Sequence, residues 1–307
     1  MTAQQLRTTL FVVASAGVPS LATADTFGSG ANEFTMDFTA IASGATPDTT
    51  GYGTVAEEFR MGRNEVSERM IAAYNALSGG PSITLDTRGP DKPATNLSWN
   101  EAARFVNWLN TSTGKSAAYK FTTGGANDNI ALWTAGDAGY DPANPFRNSD
   151  AFYFLPSEDE WYRAAYYDPD AALYYDYPTG SDTAPTPASG GTGPGTAVYG
   201  TQPGPADITD AGGLSPLRTM GQGGNVFEWV ESGFDGVNNS GTEERVVRGG
   251  AYNSPASNLT TGFRFNTAPT NTFNIVGLRV ASIVPEPSEA LLFMLGSTGL
   301  LVRRRAR

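Results

Sequence analysis

The chain of 307 residues contains no cysteine and no histidine. Without cysteine there is no disulfide, no thiolate nucleophile and no thiolate-bound metal. Without histidine there is no Ser-His-Asp triad, no HExxH zinc site and no iron centre held by two histidines and a carboxylate. These exclusions are firm because they rest on missing atoms. Charge is sparse as well, at 17% of residues, and its balance is negative, with a formal net charge of -11. That argues against nucleic acid, whose phosphates need clustered Lys and Arg. It leaves carboxylates available to a hard cation such as Ca2+.

What is abundant is Gly and Pro, 36 and 20 residues. They favour a loop-rich globular fold over helical bundles, and the length suffices for a sizeable core. The two ends carry their own signals. Arg7 is followed by the apolar run Leu10 to Val18 and by Ala22-Thr23-Ala24, a small-x-small site. This predicts a signal peptide over 1–24 and a mature chain from Asp25; a buried N-terminal helix is the alternative, against which Pro19 and the small residues stand. At the other end Pro285-Glu286-Pro287 precedes the apolar stretch Ala290 to Val302 and the cluster Arg303-Arg304-Arg305-Ala306-Arg307. At about 13 residues, or about 20 Å as a helix, the stretch is short for a stable span of a hydrocarbon core about 30 Å thick. The basic cluster would stay on the cytoplasmic side. The order motif, apolar stretch, basic cluster resembles the PEP-CTERM sorting signal. That resemblance implies recognition by exosortase-type machinery, transient membrane association and delivery to the cell surface or beyond. A plain C-terminal anchor is the alternative, and both place the domain outside the cytoplasm.

Between the ends, 25–282 reads as one domain. Phe34, Met36 and Phe38 alternate as in a strand, and Phe59 to Gly62 reads as another. Ser67 is placed to cap a helix carrying Met70, Tyr74 and Leu77, which Gly79-Gly80-Pro81 stops. Ser98-Trp99-Asn100-Glu101 is a capping box that opens a helix with Ala102, Phe105, Val106 and Leu109 on one face. Ser157 to Glu160 is a second box, with Trp161, Ala164 and Ala165 facing inward. The stretch Thr179 to Pro205, rich in Gly, Pro, Ser and Thr, is expected to be a mobile surface loop. Arg245 to Arg248, Gly262 to Phe265 and Gly277 to Ala281 read as closing strands.

Four segments occur in an order that identifies a family: Asn96-Leu97-Ser98-Trp99, Leu155-Pro156-Ser157-Glu158-Asp159-Glu160-Trp161, Gly223-Gly224-Asn225-Val226-Phe227-Glu228-Trp229, and the Arg248-Gly249-Gly250 turn closed by Gly277-Leu278-Arg279-Val280. From about Glu57 to Ala281 the chain resembles the formylglycine-generating enzymes, or sulfatase-modifying factor domains. The resemblance implies an α+β, C-type-lectin-like fold with short helices and strands and much irregular structure. Each segment also has a plain structural reading. Trp161 and Trp229 suit a core if their indole N–H groups find partners. Gly249 and Gly250 suit a turn, and Arg248 and Arg279 suit buried pairing with carboxylates such as Glu160 or Glu228.

In active members two cysteines bind copper as thiolates and bring O2 to a substrate cysteine. The positions matching them are Ser254 and Leu259. A serine hydroxyl is a hard, weak ligand and leucine offers none, so copper, iron and zinc are not expected. Ser254 as a nucleophile lacks a partnering base, and Asn253-Ser254-Pro255 reads as a turn. The resemblance further implies calcium held by Gly221, Gly224 and Val226 through backbone carbonyls and by Glu228 through its side chain. Pairing of Glu228 with an arginine is the alternative. Asp137, Asp141, Asn144, Asn148 and Asp150 could hold a second ion. The expected function is an exported, non-catalytic binding module for a protein or glycan, with Tyr166, Tyr167, Tyr174, Tyr175 and Tyr177 as contact surface; core packing is the alternative for some of them, Tyr166 in particular. The alternative is an enzyme of other chemistry in the same cleft, using Glu158, Asp159, Glu160 or Glu231.

Overall fold

The computed structural model describes residues 23–285. The signal-peptide reading up to residue 22 and Glu286, Pro287 and the tail after them lie outside the described residues. In chain order the elements are β1 (Thr23–Phe27), β2 (Phe34–Ile41), β3 (Phe59–Gly62), α1 (Glu68–Leu77), α2 (Trp99–Ser112), β4 (Tyr153–Phe154) and α3 (Glu158–Tyr166). They continue with β5 (Tyr167–Asp168), β6 (Leu173–Tyr174), β7 (Thr186–Pro187), β8 (Thr196–Ala197), β9 (Phe227–Gly233), β10 (Arg245–Arg248), β11 (Phe265–Thr267), β12 (Val276–Leu278) and β13 (Ala281–Ile283). Short helices, short strands and long connections make this the expected α+β, C-type-lectin-like architecture. Among the described residues no helix is long and apolar enough to cross a membrane.

Two sheets organise the chain. The first has the order β1-β2-β3-β13-β4 and is antiparallel throughout. The alternation in β2 is as expected: Phe34, Met36 and Phe38 are buried, and Thr35 and Asp37 are exposed. Buried Arg60 of β3 ties this sheet together. It donates to Asp25 of β1 and to Ser282 Oγ of β13, and it lies over the Phe38 ring.

The second sheet has the order β11-β10-β9-β12. Its β9 is buried on both faces, and the period of two sorts its side chains. Phe227 and Trp229 enter the main core with α1, α2 and the first sheet. Val230 turns to the opposite face, where it joins Trp161, Tyr162, Ala165 and Tyr166 of α3. Glu228 and Ser232 lie on that second face too, bonded to Trp161 Nε1 and to the Glu158 N–H.

Both capping boxes form. Ser98 and Ser157 accept from the N–H groups of Glu101 and Glu160, whose carboxylates accept in return. In α2 the four residues expected on the inner face are all fully buried. In α1 the cap is absent, since Ser67 makes no side-chain bond, and Leu77 at the last turn is exposed rather than packed. The indole N–H groups of Trp99, Trp161 and Trp229 each find an internal acceptor: Val230 O, Glu228 and Leu97 O.

Two expectations are corrected. The stretch 179–205 carries the parallel pair β7–β8, and its Ala197, Val198 and Tyr199 are buried. Three consecutive apolar residues supply an anchor that the Gly and Pro around them conceal. The tyrosines grouped as a contact surface are largely packing groups. Tyr166 is fully buried, Tyr174 donates to Gly53 O at 2.8 Å, and Tyr167 lies under the Arg163 guanidinium.

Candidate functional site

The site implied by the sequence is built by three loops that meet at the end of β10. Gly249 and Gly250 follow Arg248 with φ of 101° and 78°, a region that favours glycine. Space is restricted too. A Cβ on Gly249 would lie 2.8 Å from Gln222 O, and one on Gly250 would lie 2.7 Å from Leu259 Cδ1. The turn is stitched to its neighbours through the backbone. Gly224 N donates to Gly249 O, Tyr252 N to Asn225 O, Gly200 N to Ser254 O and Gln202 N to Tyr252 O.

Ser254 is buried, and its hydroxyl accepts from Ala251 N–H at 3.0 Å. Its own N–H donates to Ala251 O at 2.9 Å. This is a turn closed by a hydroxyl, as Asn253-Ser254-Pro255 suggested. Leu259 ends a short 3-10 turn, Ala256–Leu259, and is fully buried in an apolar cluster with Ala197 and Tyr199. The place where the family resemblance puts a second thiol is therefore filled with hydrocarbon. Neither position offers a soft ligand.

Arg248 lies on the α3 face of β10, opposite Glu228 of β9. Its partner is Glu158 rather than Glu160 or Glu228, with NH2 to Oε1 at 2.5 Å. Its NH1 donates to Thr261 O and Phe263 O. Glu158 is shared with Arg264 at 2.7 Å. It also sits in the first turn of α3, where the helix dipole favours an anion.

The loop implied for calcium is occupied by the chain's own charges. Glu228 and Arg279 are both fully buried and pair at 2.7 Å. Glu228 Oε2 also takes Trp161 Nε1 at 2.6 Å. A second buried carboxylate, which sequence reasoning missed, completes the group. Glu65 accepts Asn225 Nδ2 on both oxygens, at 3.1 and 2.9 Å. Burial first, and then the negative Glu228, push its carboxyl up to about 8, against an ordinary value of 4.5. The shift favours the protonated carboxyl of Glu65 beside the Glu228–Arg279 pair. Glu228, the one side-chain donor implied for Ca2+, is taken by Arg279 and Trp161, and the guanidinium beside it opposes a second cation. The Arg-paired alternative for Glu228 is the geometry found.

The second ion-binding loop is likewise engaged internally. Asp137 pairs with Lys120 at 2.7 Å and accepts from Thr134. Hydrogen bonds from these two residues lower its carboxyl to about 2. Asn144 donates to Glu231, and Asn148 donates to Ala138 O. Among the described residues no group of three or more acidic side chains is arranged to hold a metal.

The carboxylates offered for acid–base chemistry scatter. Glu158 belongs to Arg248 and Arg264, and Asp159 accepts from Gly53 N. Glu160 and Glu231 do converge, but on Arg147, at 3.3 and 3.0 Å. Burial raises the Glu231 carboxyl, and Arg147 opposes that shift. Tyr119 Oη donates to Glu231 at 2.8 Å. Arg147 and Glu160 line a cleft of about 430 Å3 together with Glu57, Glu58, Asp141 and Phe154. Ser254 and Leu259 are not part of its lining. Two carboxylates clamped on one guanidinium form a strut, not a free acid and base.

The sequence profile of the sulfatase-modifying factor enzyme 1-like domain matches residues 48–284, well over half of the chain. The chain belongs to this family. Among solved structures it is similar to Treponema denticola variable protein 1, at a TM-score of 0.60 and 19% identity, over 85% of this chain and 99% of that one. It is also similar to CarF, at a TM-score of 0.58 and 21% identity, over 81% of this chain and 99% of that one. At such identities the likeness shows the fold. No curated protein matches the sequence.

Proposed function

We propose that this sulfatase-modifying-factor-like domain is exported and works without catalysis, as a binding module at the cell surface or outside the cell. The observation that carries the reading is the chemistry at Ser254 and Leu259. One hydroxyl is spent on the Ala251 N–H and one side chain is hydrocarbon in an apolar cluster. A soft metal finds no ligand there, and no base is bonded to Ser254. The carboxylate-based alternative is weakened by the commitments of Glu158, Glu160 and Glu231 to arginines. The ligand class is a protein or glycan held by the long connections.

Export rests on the two ends. Removal of residues 1–24 would make Asp25 the first residue. Its carboxylate pairs with Arg60 at 2.5 Å and accepts from Tyr153 Oη, so the mature chain keeps this ion pair while losing the bond from Arg60 to Thr23 Oγ1. The C-terminal sorting signal, with exosortase-type machinery as partner, then governs delivery. Cells expressing the whole chain test this by fractionation and mass spectrometry. The protein should be recovered from the surface or medium, starting at Asp25 and lacking the Arg-rich tail. Recovery from the cytoplasm with both ends intact would sink it.

A further inference from the structure

Arg279 bonds to Glu228 at the end of the loop 221–228 and to residues flanking it, and the atoms gathered on that one side chain have a pattern. Its Nε donates to Glu228 Oε2 at 3.1 Å and its NH2 to Glu228 Oε1 at 2.7 Å, so the carboxylate is held in bidentate fashion. NH1 donates to Gly62 O at 2.9 Å and NH2 to Met220 O at 2.6 Å. A bidentate carboxylate and two backbone carbonyls, brought from β9, the end of β3 and the start of the loop, converge on one buried positive group. That is the kind of oxygen set a hard divalent ion collects. Here a guanidinium collects it, and its planar fork suits the carboxylate.

Side chains are excluded at two positions of the loop as well. Gly221 has φ of 82°, and a Cβ there would lie 2.8 Å from Glu65 Oε2. A side chain bearing a ligand at 221 would collide with Glu65. Gly224 is equally confined, since a Cβ would lie 2.3 Å from Val198 O. A divalent ion bound to Glu228 would face the buried positive charge of Arg279 at short range.

We infer that Arg279 serves as the resident cation of this loop, cross-linking three segments in the way a calcium ion would, with Glu65 filling the volume left by Gly221. The protein therefore folds and keeps this loop without metal. The inference rests on the contacts of Arg279 and not on the proposed binding role, so either can fail alone.

Trp161 gives a direct readout, because its indole N–H touches Glu228. A terbium ion bound in the loop would be excited through this ring. Purified wild type should show no terbium emission beyond that of Trp161→Phe, and the same melting midpoint in EDTA and in millimolar Ca2+. Sensitised wild-type emission that Ca2+ displaces, and that Trp161→Phe abolishes, would overturn the inference. So would a Ca2+-dependent rise in midpoint that is lost in Glu228→Gln. Arg279→Met supplies the converse test. It should lower the midpoint sharply, or prevent folding, while the isosteric Glu65→Gln folds normally. An Arg279→Met protein as stable as wild type would contradict the assignment.

Discussion

The loop 221–228 and the turn 248–259 lie side by side, bonded through Gly224 N to Gly249 O, yet they hold their shape by different means. The first is closed by charge. Glu228, Arg279 and Glu65 are buried together and have hydrogen-bond partners. The second is closed without charge, by backbone hydrogen bonds, the Ser254 hydroxyl and a buried leucine. Removing one member of a buried ion pair strands the other in a low dielectric, which costs far more than the pair contributes as a whole. A hydroxyl and a leucine strand no charge when replaced. The contrast teaches that the scaffold around the turn holds its shape without depending on the side chain at Ser254. Arg248, Gly249, Gly250, Trp161 and Trp229 all have structural duties that do not depend on the chemistry at Ser254.

Substitutions can break this comparison, and the largest effect is expected in the charged loop. Glu228→Ala should leave Arg279 unpaired and Trp161 Nε1 without an acceptor, at a cost of about 3–5 kcal/mol in chemical denaturation. A loss below about 1 kcal/mol would mean the pair is not structural. In the apolar turn, Leu259→Ala should cost about 2–5 kcal/mol through the cavity left beside Tyr199 and Ala197. Pairing Leu259→Cys with Ser254→Cys sharpens the point. That double variant should acquire Cu(I) binding that wild type lacks, as read by competition with a chromogenic chelator.

Glu65 gives the charged loop a pH signature that the turn lacks. Its carboxyl is raised on folding, so the folded chain holds a proton where the unfolded chain has released it. Its contribution is most favourable below 4.5 and is lost as pH rises to about 8, because folding takes up a proton in that window. Glu65→Gln cannot titrate. Relative to it, the wild-type melting midpoint should fall across this range and level off above it; a constant difference would show that Glu65 is ionised in the fold. The smallest effect belongs to Ser254→Ala, which removes one turn hydrogen bond worth about 1 kcal/mol.

How much of this could be read in the sequence followed the range of the interaction. Both capping boxes are local, and Ser98 and Ser157 form them as the spacing implied. The alternation at Phe34, Met36 and Phe38 is local too, and it set β2 correctly. Glu65 had no such signal. Its partner Asn225 is 160 residues away, and nothing in the residues flanking Glu65 marks it as buried. Arg147 had no signal either: Glu160 is 13 residues away across a loop and a strand, outside any helical spacing, and Glu231 is 84 residues distant. The tyrosines failed in another way. Aromatic residues serve a loop surface and a second core equally well, and α3 brought Tyr162 and Tyr166 against Val230 and Val246. For Arg248 the pairing with a carboxylate was foreseen but the partner was not. Which acid in Glu158-Asp159-Glu160 faces β10 depends on how α3 is rotated against the sheet.

The proposed non-catalytic role requires that Ser254 and Leu259 support no redox chemistry. Oxygen uptake by the purified protein, supplied with Cu(I) and a sulfatase-type peptide bearing a cysteine, tests it most directly. The account predicts no consumption above a protein-free blank and no aldehyde in the peptide. Sustained uptake with conversion of the peptide cysteine to formylglycine would contradict it.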